Sequence, residues 1–213
     1  MKAEGAIFDV DGTLLDSMSI WDTIGADYLR SIGYAPRENL SEVLKNSSLL
    51  QAAEYYRHAY GVTQSIEEIM DGVNALLENF YRYDAPLKPG AAELLERLRR
   101  KKVRLCIATA TDRYLVEAAL DRCGVLSYFD GIFTCNEVGH GKDEPVIFEA
   151  ALYFLGTEKI KTVVFDDALY AIRTAKKAGF PVAAVYDSHE EAQAEIRALA
   201  DLYLTDLMQF HLV

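Results

Sequence analysis

Short apolar runs and longer stretches of helical period alternate along this chain. Residues 6–8, 103–108, 131–133, 162–165 and 181–186 have strand character, being apolar, short and bounded by polar or glycine-containing segments. Between them lie helix-period stretches. Residues 90–101 follow Pro89, residues 113–122 close at Cys123-Gly124, residues 145–155 close at Gly156, residues 168–178 close at Gly179, and residues 189–200 form the last. A short final strand is expected at residues 202–204. Strand followed by helix, repeated, predicts a parallel sheet covered by helices on both faces, because parallel neighbours need a crossover connection. The fold class expected is α/β, with a Rossmann-like three-layer parallel sheet as its core.

Residues 16–83 break this rhythm. They hold four helical patterns, at 18–32, 40–45, 48–60 and 65–83, with no convincing strand among them, and Ser65 and Glu68 have the spacing of a capping box. The interval reads as a helical cap domain inserted after the first strand, which leaves residues 1–15 and 84–213 to form the α/β core domain. Aromatic residues are dense in the insertion (Trp21, Tyr28, Tyr55, Tyr56, Tyr60, Phe80, Tyr81, Tyr83). At helical spacing, such residues read as a bundle core rather than a ligand box.

Composition narrows the choice of function. Of 213 residues, 51% are hydrophobic and 26% charged, enough apolar material for a sizeable core. Lys and Arg total 22 against 33 Asp and Glu, a formal net charge of -11 that repels nucleic acid and anionic membrane. A small ligand or a cation is the better partner. Three cysteines, Cys106, Cys123 and Cys135, are an odd count without a C-x-x-C pair, so they read as small apolar residues rather than a disulfide framework or zinc site. Residues 1–8 reach the first strand at once, without a secretory leader, and no apolar run approaches the roughly 20 residues of a membrane span. The expected compartment is the cytoplasm.

Ligands of open parallel sheets bind beyond the carboxyl ends of the strands. The first strand here is followed by Asp9-Val10-Asp11-Gly12-Thr13, the second leads into Thr109-Ala110-Thr111-Asp112, the third is followed by Gly139-His140-Gly141-Lys142, and the fourth by Asp166-Asp167. Any one of these alone is compatible with a solvated turn. Gathered at one sheet edge, like charges repel, and a metal is the usual reason that folds tolerate them. Four carboxylates, a hydroxyl and an ammonium together suit a hard divalent cation and a phosphoryl group. The segment at Lys142 is no nucleotide P-loop, since Asp143 follows the lysine where Ser or Thr is needed and Asn136 stands in place of the first glycine.

With these four segments in order, the chain resembles the haloacid dehalogenase superfamily, in particular its helical-cap phosphatase and β-phosphoglucomutase-like branch. Asp9-Val10-Asp11-Gly12-Thr13 resembles the first motif of that family, Thr109 the second, Lys142 the third and Asp166-Asp167 the fourth. The resemblance implies a magnesium-dependent phosphatase that hydrolyses a small phosphorylated metabolite, most simply a sugar phosphate, through an aspartyl phosphate. It implies catalytic roles for Asp9 (nucleophile) and Asp11 (acid and base). Thr109, Ala110 and Lys142 would bind phosphate, and Asp9, Asp11, Asp166 and Asp167 would be the Mg2+ site. Asp11 itself speaks against dehalogenation, because the dehalogenases of the superfamily carry a non-acidic residue there.

The third motif reads Lys-Asp-Glu-Pro-Val where many relatives read Lys-Pro-x-Pro-Asp, and Ala168 and Ala171 replace the usual Ser and Gly of the fourth. A phosphomutase is the alternative function, and a non-catalytic binding protein on the same scaffold a remoter one. The mutases carry a cap arginine and a histidine after the first motif; here the comparable stretches hold Lys45 in 44–49 and Trp21 in 18–21, with neither Arg nor His. That favours hydrolysis over transfer back to the substrate. His140 and Arg113 lie near the motifs without an assigned role. The sequence leaves the substrate and the oligomeric state open, a monomer being compatible with it.

Overall fold

A computed structural model describes residues 3–44 and 49–211. The chain divides into two compact units. One comprises residues 1–17 and 85–213, the other Met18–Asp84.

The first unit is built on strands β1 (Gly5–Phe8), β2 (Arg104–Thr109), β3 (Gly131–Thr134), β4 (Thr162–Asp166), β5 (Val182–Val185) and β6 (Leu202–Leu204). They form one parallel sheet in the order β3-β2-β1-β4-β5-β6. β1 lies in the middle, with Phe8 in register with Ile107 on one side and Phe165 on the other. All of β1, β4 and β5 is buried, as expected of strands covered on both faces. Phe8 and Phe165 stack with ring centroids 4.2 Å apart. The two central strands therefore end in a stiff aromatic platform, and the polar residues that follow leave it at a fixed height.

In the second unit, α1 (Ser19–Ser31), α2 (Leu40–Leu44), α3 (Leu49–Tyr60) and α4 (Ile66–Asn79) surround a core that includes Ile24, Tyr28, Tyr56, Ile69, Val73 and Leu77. The spacing Ile69, Val73, Leu77 is the apolar stripe of α4. Ser65 accepts the Glu68 N–H while the Glu68 carboxylate accepts the Ser65 N–H, so the capping box forms as expected. After Asn79 the helix widens into a π-turn over Phe80–Asp84 instead of running on to residue 83. Of the aromatic residues expected in the bundle core, Tyr28, Tyr56 and Tyr81 are buried, whereas Trp21 is 49% and Tyr83 70% exposed. Helical spacing placed those two on the solvent side of their turns.

The connecting helices of the sheet unit are α5 (Ala91–Arg100), α6 (Arg113–Arg122), α7 (Cys135–Val138), α8 (Val146–Leu155), α9 (Leu169–Lys177) and α10 (Gln193–Leu199). The α/β class and the strand assignments agree with the sequence reading to within one residue at most ends. Two helices differ. α7 is a single turn that no periodicity announces; Thr134 caps it, accepting the Glu137 N–H, and Gly139 ends it at φ 74°. α10 begins four residues later than expected, because Asp187 accepts the His189 N–H and Glu190 accepts the Ala192 N–H, which holds the intervening chain in turns. His189 thus lies in a turn rather than on a helix.

Cys106 is buried and Cys123 and Cys135 half-buried, and all three are free thiols. Among the described residues, no helix is long and apolar enough to cross a membrane.

Candidate active site

Asp9 is the first residue beyond β1, and its N–H still donates to Phe165 O at 2.9 Å, as though the strand went on. The chain then turns sharply. Val10 O accepts the N–H groups of Thr13, Leu14 and Leu15, and Gly12 takes φ 75°. A second constraint acts on Gly12, since a Cβ there would sit 2.4 Å from Asp167 Oδ2. Only glycine allows the left-handed turn and the close approach of the fourth-motif carboxylate together. Thr13, buried beneath the turn, donates its hydroxyl to Asp167 Oδ1 at 2.8 Å.

Lys142 arrives from the loop between α7 and α8 and is 3% exposed. Its ammonium donates to Asp9 Oδ1 and, at 2.9 Å, to Asp166 Oδ2. The other oxygen of Asp166 accepts the Ala168 N–H at 3.0 Å. Carboxylate oxygens of Asp9, Asp166 and Asp167 all lie within 4.8 Å of one another, and the three residues are buried. One lysine therefore faces three carboxylates. Burial, opposed by Lys142 and reinforced by Asp166 and Asp11, pushes Asp9 up to about 7. Burial raises Asp167 too, reinforced by Asp9 and Asp166. Burial works to lower Lys142, but the two aspartates outweigh it and hold the ammonium well above the usual lysine range. The cluster is short of positive charge, and its donors are hard oxygens. Those are the properties of residues that fit a divalent cation.

Asp11 is held apart from this cluster by hydroxyls. Ser17 donates to its Oδ1 at 2.5 Å and Thr111 to its Oδ2 at 2.6 Å. Thr111 also donates its N–H to Thr109 Oγ1 at 3.1 Å, which leaves the Thr109 hydroxyl hydrogen to give to an acceptor. Thr109 is buried at the end of β2, and Ala110 beside it is exposed.

The structure thus brings Asp9, Lys142, Asp166 and Asp167 into direct contact or near contact, and connects Asp11 to Thr109 through Thr111. The sequence reading passed over Thr13, Ser17 and Thr111 as side-chain partners. Their hydroxyls lie within or beside the motifs, but nothing local says which carboxylate each will meet, since Thr111 and Asp11 are 100 residues apart. Of the neighbouring residues without a role, Arg113 donates to both carboxylate oxygens of Glu137 and to Ile132 O, an ion pair that braces α6 against β3 and α7. His140 is exposed, with Nδ1 3.1 Å from Glu144 Oε2. Lys45 lies outside the described residues.

The family model of haloacid dehalogenase-like hydrolases matches residues 3–179. A validoxylamine A 7'-phosphate phosphatase of Streptomyces hygroscopicus subsp. limoneus is 30% identical over 205 residues, covering 96% of this chain and 94% of its own. A phosphorylated carbohydrates phosphatase of Thermotoga maritima is 26% identical over 196 residues, or 92% of this chain and 91% of that one. Among solved structures, a Thermotoga maritima protein carrying the name beta-phosphoglucomutase is 26% identical and superposes with a TM-score of 0.85 over 94% of both chains.

Proposed function

This chain belongs to the haloacid dehalogenase-like hydrolases, and on that premise we propose that it is a magnesium-dependent phosphatase of a small phosphorylated sugar. The observation that carries this reading is the Lys142 ammonium shared by Asp9 and Asp166, with Asp167 beside them, at the carboxyl edge of the sheet. The names of the relatives, phosphatases of phosphorylated carbohydrates and of validoxylamine A 7'-phosphate, support the substrate class.

In this proposal the Asp9 carboxylate attacks phosphorus and the ester oxygen leaves, giving an aspartyl phosphate. Asp11, oriented by Ser17 and Thr111, gives the leaving oxygen its proton and then takes one from the water that cleaves the intermediate. The Thr109 hydroxyl, the Ala110 backbone and Lys142 hold phosphoryl oxygens as charge redistributes. Asp9, Asp167 and the backbone carbonyl of Asp11 would hold Mg2+, with Asp166 acting through water. Bound there, Mg2+ would supply the positive charge that Lys142 alone does not. A mutase gains no support from the described residues: α1 offers no histidine beside Trp21.

The test is phosphate release from a panel of sugar monophosphates, with Mg2+ and with a chelator. Magnesium-dependent release from one or a few esters is expected. Interconversion of two sugar phosphates that depends on a bisphosphate, without free phosphate, would overturn the hydrolytic reading.

A further inference from the structure

Asp166 ends β4 and Asp167 follows it in the turn into α9, so whatever fixes the start of α9 fixes them as well. The first N–H groups of a helix have no partner inside it, and a polar side chain at the residue preceding the helix commonly accepts one of them. Here that residue is Ala168, which has no side-chain acceptor. The acceptor comes from another loop. Glu190, between β5 and α10, takes the Leu169 N–H on Oε2 at 3.0 Å, across 21 residues of chain.

Glu190 is itself held in place. Its Oε1 accepts the Ala192 N–H at 2.9 Å, its backbone carbonyl accepts Gln193 Nε2 at 2.8 Å, and Gln193 Oε1 accepts the Tyr203 hydroxyl at 2.6 Å. Gln193 Nε2 also donates to Asp187 O, and the Asp187 carboxylate is paired with Lys88. A carboxylate already oriented by its own loop loses little further freedom when it caps α9. Two consecutive amides after the aspartates, those of Ala168 and Leu169, are thus tied to Asp166 Oδ1 and Glu190 Oε2. Asp167 has little slack of its own. Its Oδ1 takes the Thr13 hydroxyl at 2.8 Å, and its Oδ2 lies against Gly12, where a Cβ would be 2.4 Å away. A side chain so confined cannot absorb a movement of the turn, so its carboxylate moves with the backbone.

Resting on the magnesium-dependent reading above, we propose that Glu190 is a positioning residue of the metal site: by capping α9 from outside the helix, it fixes the turn that carries Asp166 and Asp167 and so sets the affinity for the cation. Glu190 is not one of the clustered carboxylates and acts through the backbone at Ala168 and Leu169. Partners of the groups that hold a metal govern its affinity in the same manner, by fixing where the ligand atoms stand.

The probe is Mn2+, bound in place of Mg2+ and followed by loss of the electron-spin-resonance signal of the free ion. Glu190→Ala should weaken Mn2+ binding roughly three- to tenfold, the range of one hydrogen bond, and the Mg2+ concentration for half-maximal phosphate release should rise by the same factor. In the metal-free protein, hydrogen exchange at the Leu169 amide should quicken in Glu190→Ala. Adding Ala168→Ser to that variant gives α9 a cap of its own and should restore most of the Mn2+ affinity. Serine is uncharged, so the recovery separates capping from attraction between the Glu190 charge and the cation. Mn2+ affinity unchanged in Glu190→Ala, unchanged exchange at Leu169, or no recovery with Ala168→Ser would each overturn the proposal. Should Glu190→Ala fail to fold, Glu190→Met keeps the length of the side chain without the acceptor and carries the same expectations. Failure of wild type to bind Mn2+ would overturn both readings. A wild type that binds Mn2+ but releases phosphate from no sugar ester would fail the phosphatase alone, with the Mn2+ comparison still deciding the role of Glu190.

Discussion

Asp9 and Asp11 are two residues apart and chemically alike, yet their surroundings differ, as the proposed division of work between them requires. Asp9 is buried against Lys142, so an unprotonated oxygen is held beside a fixed cation. Asp9→Asn keeps the shape but removes both the proposed nucleophile and a negative charge of the carboxylate cluster. Phosphate release should fall below a thousandth of the wild-type rate, and a tenth of that rate remaining would remove Asp9 from the mechanism. Asp11 sits between two hydroxyl donors. Thr111→Val keeps the volume while removing one donor, which loosens the proposed acid without touching the carboxylate cluster. We expect kcat to fall roughly tenfold with KM nearly unchanged, as for a group that acts through orientation. A change confined to KM would mean that Thr111 serves binding. The charged members of the site were legible in the sequence because carboxylates at strand ends are conspicuous. Their hydroxyl partners were not, because Ser and Thr are common in loops and their bonds are closed only by the fold.

Elements were legible where local chemistry dominates. The stripe of α4 and its capping box follow from residues within a few positions of one another. α10 was overextended because residues 189–192 look helical, while Asp187 and Glu190 turn the backbone there with side-chain bonds that helical period does not report. Asp187 does more than shape that turn. Its Oδ2 accepts Lys88 Nζ at 2.7 Å and its Oδ1 accepts the His189 N–H at 2.8 Å, and it is only 3% exposed. Lys88 in turn donates its N–H to Leu14 O, so this pair ties the end of β5 to the segment behind the first motif. Burial alone would raise the Asp187 carboxyl, but the Lys88 and His189 bonds outweigh it and hold it below the usual carboxylate range. A depressed folded-state value stabilises the fold above the unfolded value and loses that contribution as pH falls through the folded one. Asp187→Asn should therefore cost about 3 kcal/mol at pH 7, the scale of breaking a buried pair. In urea denaturation the difference from wild type should shrink steadily below about pH 4. A gap that persists at pH 2.5 would show that the charge on Asp187 is not what stabilises the turn.

At the scale of the whole molecule, the alternation of strand and helix made the parallel sheet readable, whereas the order β3-β2-β1-β4-β5-β6 was not. Strand order is set by which helices cover which face, and those contacts join residues far apart in the chain. Net charge, by contrast, is read directly and acts at long range. The protein carries -11, and a sugar monophosphate at neutral pH is close to a dianion, so enzyme and substrate repel until short-range contacts take over. Within the site, Asp9, Asp166 and Asp167 face Lys142, so even with a divalent cation bound the balance there is not positive. Salt shortens the reach of this repulsion, from about 30 Å at 0.01 M to about 8 Å at 0.15 M. With Mg2+ kept saturating at every point, kcat/KM should rise up to about threefold between those ionic strengths while kcat stays constant, because screening aids encounter and leaves the enclosed chemistry alone. Enzymes that steer an anionic substrate with a positive field show the opposite slope. A fall in kcat/KM with salt would mean that a cationic surface guides the substrate, and the phosphoryl group would then be drawn in by more than the proposed Lys142 and Mg2+ contacts.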